Sequence, residues 1–330
     1  MNKINGNSSR LDSFLNFRAM GVLAILIILV VGLAIFSPGH NFIRMSNMET
    51  LLSYGSEFAI IVLGIGLLMI AGEFDLSIGS VLAFCSFVFV WLFEIGLHPF
   101  LAAIITLACG AVTGLINGLI TVKTKVLSFV VTLGTMMFWR GLTLMISGGT
   151  MRSAVVSDYK FFTAATTGRI GNFFPVQAVW FIVFAIIFGL LLHKNKFGNW
   201  IFSTGDNENA ARSMCINTDM VKITCFIIVG LLCAFSAVTL TTRSAAYSSR
   251  IGTGWELKAM AGAVVGGTSL RGGRGNMIGI FFGALVIVVI ENALIVARLA
   301  YEWTYMAFGL IILVAALLDV FVEKRRQELI

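Results

Sequence analysis

Charged residues make up only 12% of this 330-residue chain, and a few of them fall inside or beside long apolar runs. In hydrocarbon each such charge costs ~2.5–3.5 kcal/mol on insertion scales, so each implies a partner, a polar cavity or a path. The stretch 71–80 reads AGEFDLSIGS and gathers Glu73, Phe74, Asp75 and Ser77 between two apolar runs. Its acids are either solvated in a cytoplasmic turn, or they belong to an unwound segment dipping into a polar cavity. The link is short and carries none of the basic residues found in other polar links, which fits the second reading. Arg140, beside Trp139, can snorkel to the interface or line a polar route. Glu291 and Asn292 lie within an apolar run, where a short acid cannot snorkel, and Lys258 opens a preceding run. A Lys258–Glu291 pair would neutralise both charges.

Other chemistries are poorly served. The stretch 266–275, GGTSLRGGRG, resembles a phosphate cradle but lacks the Lys-Ser/Thr ending of a P-loop and follows no soluble strand. Tight turns account for its glycines. The five cysteines have no metal-site spacing, and no His, Cys and carboxylate cluster points to catalysis, a metal or a cofactor. The net charge of +7 is dispersed between apolar runs rather than gathered on one face, which argues against nucleic acid.

The elements that must position these groups are membrane helices. Hydrophobic residues are 58% of the chain and the mean hydropathy is +0.96. Repeated runs near 20 residues match a ~30 Å hydrocarbon core, without the alternation of a β-barrel. The expected fold is an all-α polytopic membrane protein with about ten spans, at 19–37, 51–71, 79–96, 99–121, 127–147, 176–193, 221–241, 257–268, 276–297 and 303–322. The eighth is too short to cross straight, so it is a half-helix or a span with polar ends. With the N-terminus inside, Lys and Arg favour the inner segments two to one, which makes both termini cytoplasmic. The first run is long enough to remain as a span after a polar leader, 1–18. A single transmembrane domain then covers 19–322, with an external loop at 147–175, a cytoplasmic loop at 193–222 and a cytoplasmic tail at 323–330. Residues 207–214 favour helix, with Asp206 or Asn207 as N-cap. Pro38, Pro99 and Pro175 punctuate spans rather than kink them. Gly110-x-x-x-Gly114 is echoed by Gly279-x-x-x-Gly283, which fits either a 5+5 inverted repeat or two unrelated packing motifs.

Five stretches carry a family resemblance: GEFDLSIGS (72–80), INGLITVKTK (116–125), VTLGTMMFWRGL (131–142), FGNWIFSTGDNENAARSMCIN (197–217) and AVVGGTSLRGGRG (263–275). Together they resemble the permease subunit of bacterial ABC importers for monosaccharides, the ribose and xylose type. The resemblance implies an inner-membrane subunit that pairs with a second permease, docks a cytoplasmic ABC ATPase and receives substrate from a soluble binding protein. It implies that Glu73, Phe74, Asp75, Ser77, Arg140, Lys258, Glu291 and Asn292 lie near a substrate pathway. Gly198, Gly205, Asn207, Ala210, Ala211, Arg212, Ile216 and Asn217 would form the ATPase coupling loop. The chain departs from the family pattern at Glu73, Cys215, Lys258, Glu291 and Leu127-Ser128. Branched-chain amino acids or nucleosides are the alternative cargoes. A proton-coupled secondary transporter using Glu73, Asp75 and Glu291 is the rival from another class.

Overall fold

The computed structural model describes residues 5–171, 173–300, 302–304, 306–311, 313, 314 and 317. Residues 1–4, the tail 323–330 and the remaining positions of the expected span 303–322 lie outside the described residues. Among the described residues, twelve α-helices form continuous elements: α1 Asn5–Phe36, α2 Met45–Ile70, α3 Ile78–Glu94, α4 Pro99–Thr124, α5 Ser128–Ser147, α6 Lys160–Thr167, α7 Val176–Lys194, α8 Lys196–Asp206, α9 Glu208–Ser213, α10 Thr218–Ser244, α11 Trp255–Val265 and α12 Met277–Val296. Among the described residues, seven stretches are long and apolar enough to cross a bilayer: residues 19–36 of α1, and α2, α4, α5, α7, α10 and α12. The 17-residue α3 and 11-residue α11 are shorter.

Burial orders the bundle. Helices α2 and α10 are mostly enclosed, whereas α1 and α5 present apolar faces outward, as lipid-facing helices do. Around the central pair, α4 and α3 pack on α10, and α12, α11 and α7 pack on α2. Small residues set the closest approaches. A Cβ at Gly110 would stand 2.3 Å from Gly230 O, and one at Gly114 would stand 2.2 Å from Phe226 O. The echoing pair Gly279 and Gly283 seats α12 against Gly266 O and Gly262 O of α11. Both motifs therefore serve close helix contact, with different partners.

The 27-residue α10 separates two loop layers by about 40 Å at 1.5 Å per residue. One layer holds α8, α9 and the turn 266–275. The other holds α6 and two small antiparallel pairs, Arg152–Ser153 with Ala246–Tyr247 and Arg169–Ile170 with Phe174–Pro175. Proline sits where a missing N–H does no harm: Pro99 opens α4 and Pro175 precedes α7.

Candidate translocation site

Segment 71–77 is an irregular, largely buried link. Helix α2 runs intact to Ile70, Gly72 turns the chain at φ +87°, and α3 begins only at Ile78. Asp75 and Ser77 are buried, and Phe74 is half-buried. Asp75 Oδ1 accepts hydrogen bonds from the Ser77 N–H (2.7 Å) and hydroxyl (2.6 Å). From α4, Asn117 Nδ2 donates to Ser77 Oγ at 2.9 Å and to Asp75 Oδ2 at 3.3 Å. From α5, Ser128 Oγ accepts from the Phe74 N–H and Thr132 Oγ1 from the Leu76 N–H. Side chains of two neighbouring helices thus satisfy an unwound backbone that neither water nor a helix ladder can satisfy. The acids are not those of a solvated turn.

A second such link, 245–254, joins α10 to α11 from the opposite loop layer. Arg140 holds it, donating to the carbonyls of Ser249 (2.6 Å) and Ile251 (3.2 Å). Arg140 therefore neither snorkels freely nor stands alone. The two links bring the starts of the short helices together: a Cβ at Gly79 would stand 2.2 Å from Gly252 O and 2.8 Å from Glu256 Oε2. Gly79 lies about 22 Å from the Glu94 end of α3, and Glu256 about 14 Å from the Val265 end of α11, counting about 1.5 Å per residue. Two helix N-termini, each partially positive, meet inside the bundle beside half-buried Glu256 and half-buried Arg140. Sequence reading missed Glu256. Its signal is an acid in the first turn of a short apolar helix after Gly252-x-Gly254.

Lys258, one turn along α11, pairs with Glu291 of α12 at 2.6 Å, and its Nζ lies 5.1 Å from the Phe308 ring centre. Asn292 exchanges two 2.9 Å amide hydrogen bonds with Asn47 of α2. Tyr54, Phe58, Glu291 and Asn292 share a cleft between α2 and α12. A second pair also escaped the sequence reading. Glu57, fully buried in α2, takes Arg243 Nε at 2.9 Å and NH2 at 3.0 Å, with the guanidinium 5.7 Å from the Tyr54 ring centre. The available signal was a lone acid six residues into an expected span. Glu73 stands apart from these groups, toward the layer that holds α8 and α9, 2.7 Å from Lys222.

The loop 193–222 folds as a helical hairpin. Asn207 caps α9, its Oδ1 accepting from the Ala210 N–H at 3.0 Å, and Asn217 caps α10 through the Met220 N–H at 3.0 Å. A Cβ at Gly198 would meet Leu192 O at 2.1 Å, and one at Gly205 would meet Ile70 O at 1.9 Å. Ala211 is buried and Ile216 half-buried, while Ala210 and Arg212 are exposed. Arg212 bridges Glu208 (2.8 Å) and Asp219. Partial burial pushes the Glu208 carboxyl up, but hydrogen bonds from Lys222 and Arg212, with their charges, hold it below its ordinary value. The hydrogen bond to Glu208 raises Arg212 in turn.

A bundle of long apolar helices, with two irregular links meeting inside it and a helical hairpin at one face, has the form of a membrane permease. The chain belongs to the family described as branched-chain amino acid transport system / permease component, whose model matches residues 47–317. It is 34% identical over 296 residues to the ribose import permease protein RbsC of Bacillus subtilis, covering 89% of this chain and 90% of that one. The corresponding protein of Escherichia coli K12 is 31% identical over 89% of this chain and 91% of its own. The autoinducer 2 import system permease protein LsrC of Salmonella choleraesuis is 29% identical over 92% and 86%. No solved structure matches. The chain is a multi-pass protein of the bacterial plasma membrane.

Proposed function

We propose that this chain is the permease subunit of an ATP-driven importer that translocates a ribose-like monosaccharide or a related small polar solute. The observation that carries the reading is the match to ribose import permeases over 89% of this chain and 90% of the relative. The family's own description mentions branched-chain amino acids, but the ribose and autoinducer 2 relatives favour a hydroxyl-rich cargo. ATP hydrolysis belongs to a separate ATPase that docks on the hairpin within 193–222. A soluble binding protein delivers cargo to the outer layer, including 147–175, and a second permease completes the pathway.

The architecture we infer has ten spans: the seven long ones, α3, α11 and the run 303–322, with both termini cytoplasmic. It is an inverted repeat, in which α2, link 71–77, α3 and α4 correspond to α10, link 245–254, α11 and α12. Two features support this. The links enter from opposite loop layers, and α4 packs on α10 as α12 packs on α2. The same correspondence assigns roles. Glu256, Arg140 and Phe74, all half-exposed, face cargo near mid-depth, with the Lys258–Glu291 pair and Asn292 farther along. Asp75 and Ser77 act one step back, by fixing the start of α3.

The test is complementation. Expressed with its ATPase and binding protein in a bacterium lacking its own ribose permease, the chain should restore uptake of radiolabelled D-ribose. Proteoliposomes should accumulate it only with ATP inside the ATPase compartment. Uptake that ignores ATP and follows an imposed pH gradient would make the chain a secondary transporter. ATP-dependent uptake of leucine or a nucleoside, but not ribose, would move the cargo to the amino-acid or nucleoside class.

A further inference from the structure

Lys222, in the first turns of α10, holds two acids at once: Glu73 Oε1 at 2.7 Å and Glu208 Oε2 at 2.7 Å. The acids belong to different parts of the molecule. Glu208 opens α9 in the inner hairpin, and Glu73 lies in link 71–77, two residues from Asp75, which accepts the N–H of Ser77 just before α3. An ammonium group has three N–H donors, enough for both carboxylates. Glu73 and Lys222 are largely enclosed, with side chains 10% and 14% exposed, so neither can be stranded at low cost. Glu208 is fixed to the hairpin by its bond to Arg212, which also reaches Asp219.

Beside this bridge the same elements touch backbone to backbone. Gly273 N donates to Ile70 O at 2.8 Å, and a Cβ at Gly272 would stand 2.7 Å from the Gly72 Cα. The end of α2, the end of α8 and the turn 266–275 thus meet through glycines with no room for a side chain. The junction fixes the distance between these elements, and Lys222 joins the residue after Gly72 to the helix after α8.

We infer that the Glu73–Lys222–Glu208 bridge carries movement of the inner hairpin to link 71–77, and so to the start of α3. The inference rests on the reading of the hairpin as the ATPase-facing element. When α9 shifts, Lys222 cannot leave Glu73 unpaired in the enclosed site, so the link follows. Glu73 and Lys222 are positioning residues in this scheme and do not touch cargo.

The experiment needs no knowledge of the cargo. The full-length chain, carrying Cys215→Gly to remove the exposed thiol and Phe74→Cys as reporter, is reconstituted in nanodiscs with its co-expressed ATPase. Labelling of residue 74 by a charged maleimide is timed in ADP and in ATP with vanadate. The rate should change by roughly fivefold or more between the two states, the lower end of ordinary coupling between sites. Glu73→Gln and Lys222→Met should abolish most of that change while the ATPase stays bound, and Lys222→Arg should keep it. Full response in Glu73→Gln and Lys222→Met, or a residue 74 insensitive to nucleotide in the parent, overturns the inference. So does loss of response in Lys222→Arg as complete as in Lys222→Met, which would make the site one of packing. Failure of the parent chain to retain any ATPase is a different result, and it overturns the importer reading instead.

Discussion

Lys258 Nζ and Glu291 Oε1 stand 2.6 Å apart and tie the short helix α11 to α12. Both side chains are largely enclosed, at 6% and 14% exposure. Removing one partner of such a pair strands the other in a low-dielectric site. Lys258→Met and Glu291→Gln are each expected to lower transport and detergent-solubilised stability. The exchange Lys258→Glu with Glu291→Lys should recover a substantial part of both. The check is uptake and thermal unfolding of all four proteins; a double variant no better than the single ones would show that charge pairing is not what the two residues provide.

Asp75 accepts hydrogen bonds from Ser77 and Asn117, an Asx-turn contact that fixes the chain just ahead of α3. Asn retains the oxygen that accepts the Ser77 N–H, whereas Ala does not. Asp75→Ala should therefore destabilise by about 1–3 kcal/mol, because it leaves buried donors of Ser77 and Asn117 unpaired. Asp75→Asn should stay close to wild type in stability and uptake. A folded Asp75→Asn protein without uptake would instead give the carboxylate a direct part in translocation.

How much of this was legible follows from what each residue depends on. Helix α2 and α10 could be read because their apolar length is a local property, and the Asn207 cap because its signal lies within a few residues. The Lys258–Glu291 contact was available as a hypothesis, since a short acid within an apolar run requires a partner. Glu57 and Arg243 were not paired in the sequence because 186 residues separate them and each sits near the edge of its run, where charge is inexpensive. For Arg140 the sequence offered a choice between interface and path. Its actual partners are backbone carbonyls, which have no sequence signature. Glu256 was overlooked for a related reason: its significance comes from the convergence of α3 and α11, a tertiary relationship.

Cys215 adopts φ +60° in the turn between α9 and α10. A residue with a Cβ is strained in the left-handed region by ~1–2 kcal/mol, and glycine is not, although glycine loses more backbone entropy on folding. Cys215→Gly should therefore give a net gain of a few tenths to about 1 kcal/mol. Thermal unfolding in detergent measures it, and Cys215→Ala, which keeps the Cβ, should show no comparable gain.

The hairpin should also loosen in acid. Glu208 has a folded-state carboxyl value held below its ordinary 4.5. A depressed carboxylate contributes stability above the unfolded value, and that contribution is lost as pH falls through the folded value. Glu208→Gln should be less stable than wild type at neutral pH, and the gap should close below pH 4.5. The measurement is the Tm difference between the two proteins across that range; a gap independent of pH would separate the role of Glu208 from its charge.

Glu57 offers the sharpest stability test, because it is 0% exposed and accepts two hydrogen bonds from the single guanidinium of Arg243. Arg243→Ala leaves that carboxylate enclosed between α2 and α10 without its cation. Breaking a buried pair from one side costs about 3–5 kcal/mol, more than most single changes in a helical bundle. Lys in place of Arg preserves the charge but cannot form the two-pronged contact, so Arg243→Lys should fall between Ala and wild type. Glu57→Gln with Arg243→Met removes both charges together, so it should be less damaging than Arg243→Ala alone. Folded yield and Tm of the three variants give the order. If the double variant proved worse than Arg243→Ala, uncompensated charge at Glu57 would not be the source of the loss.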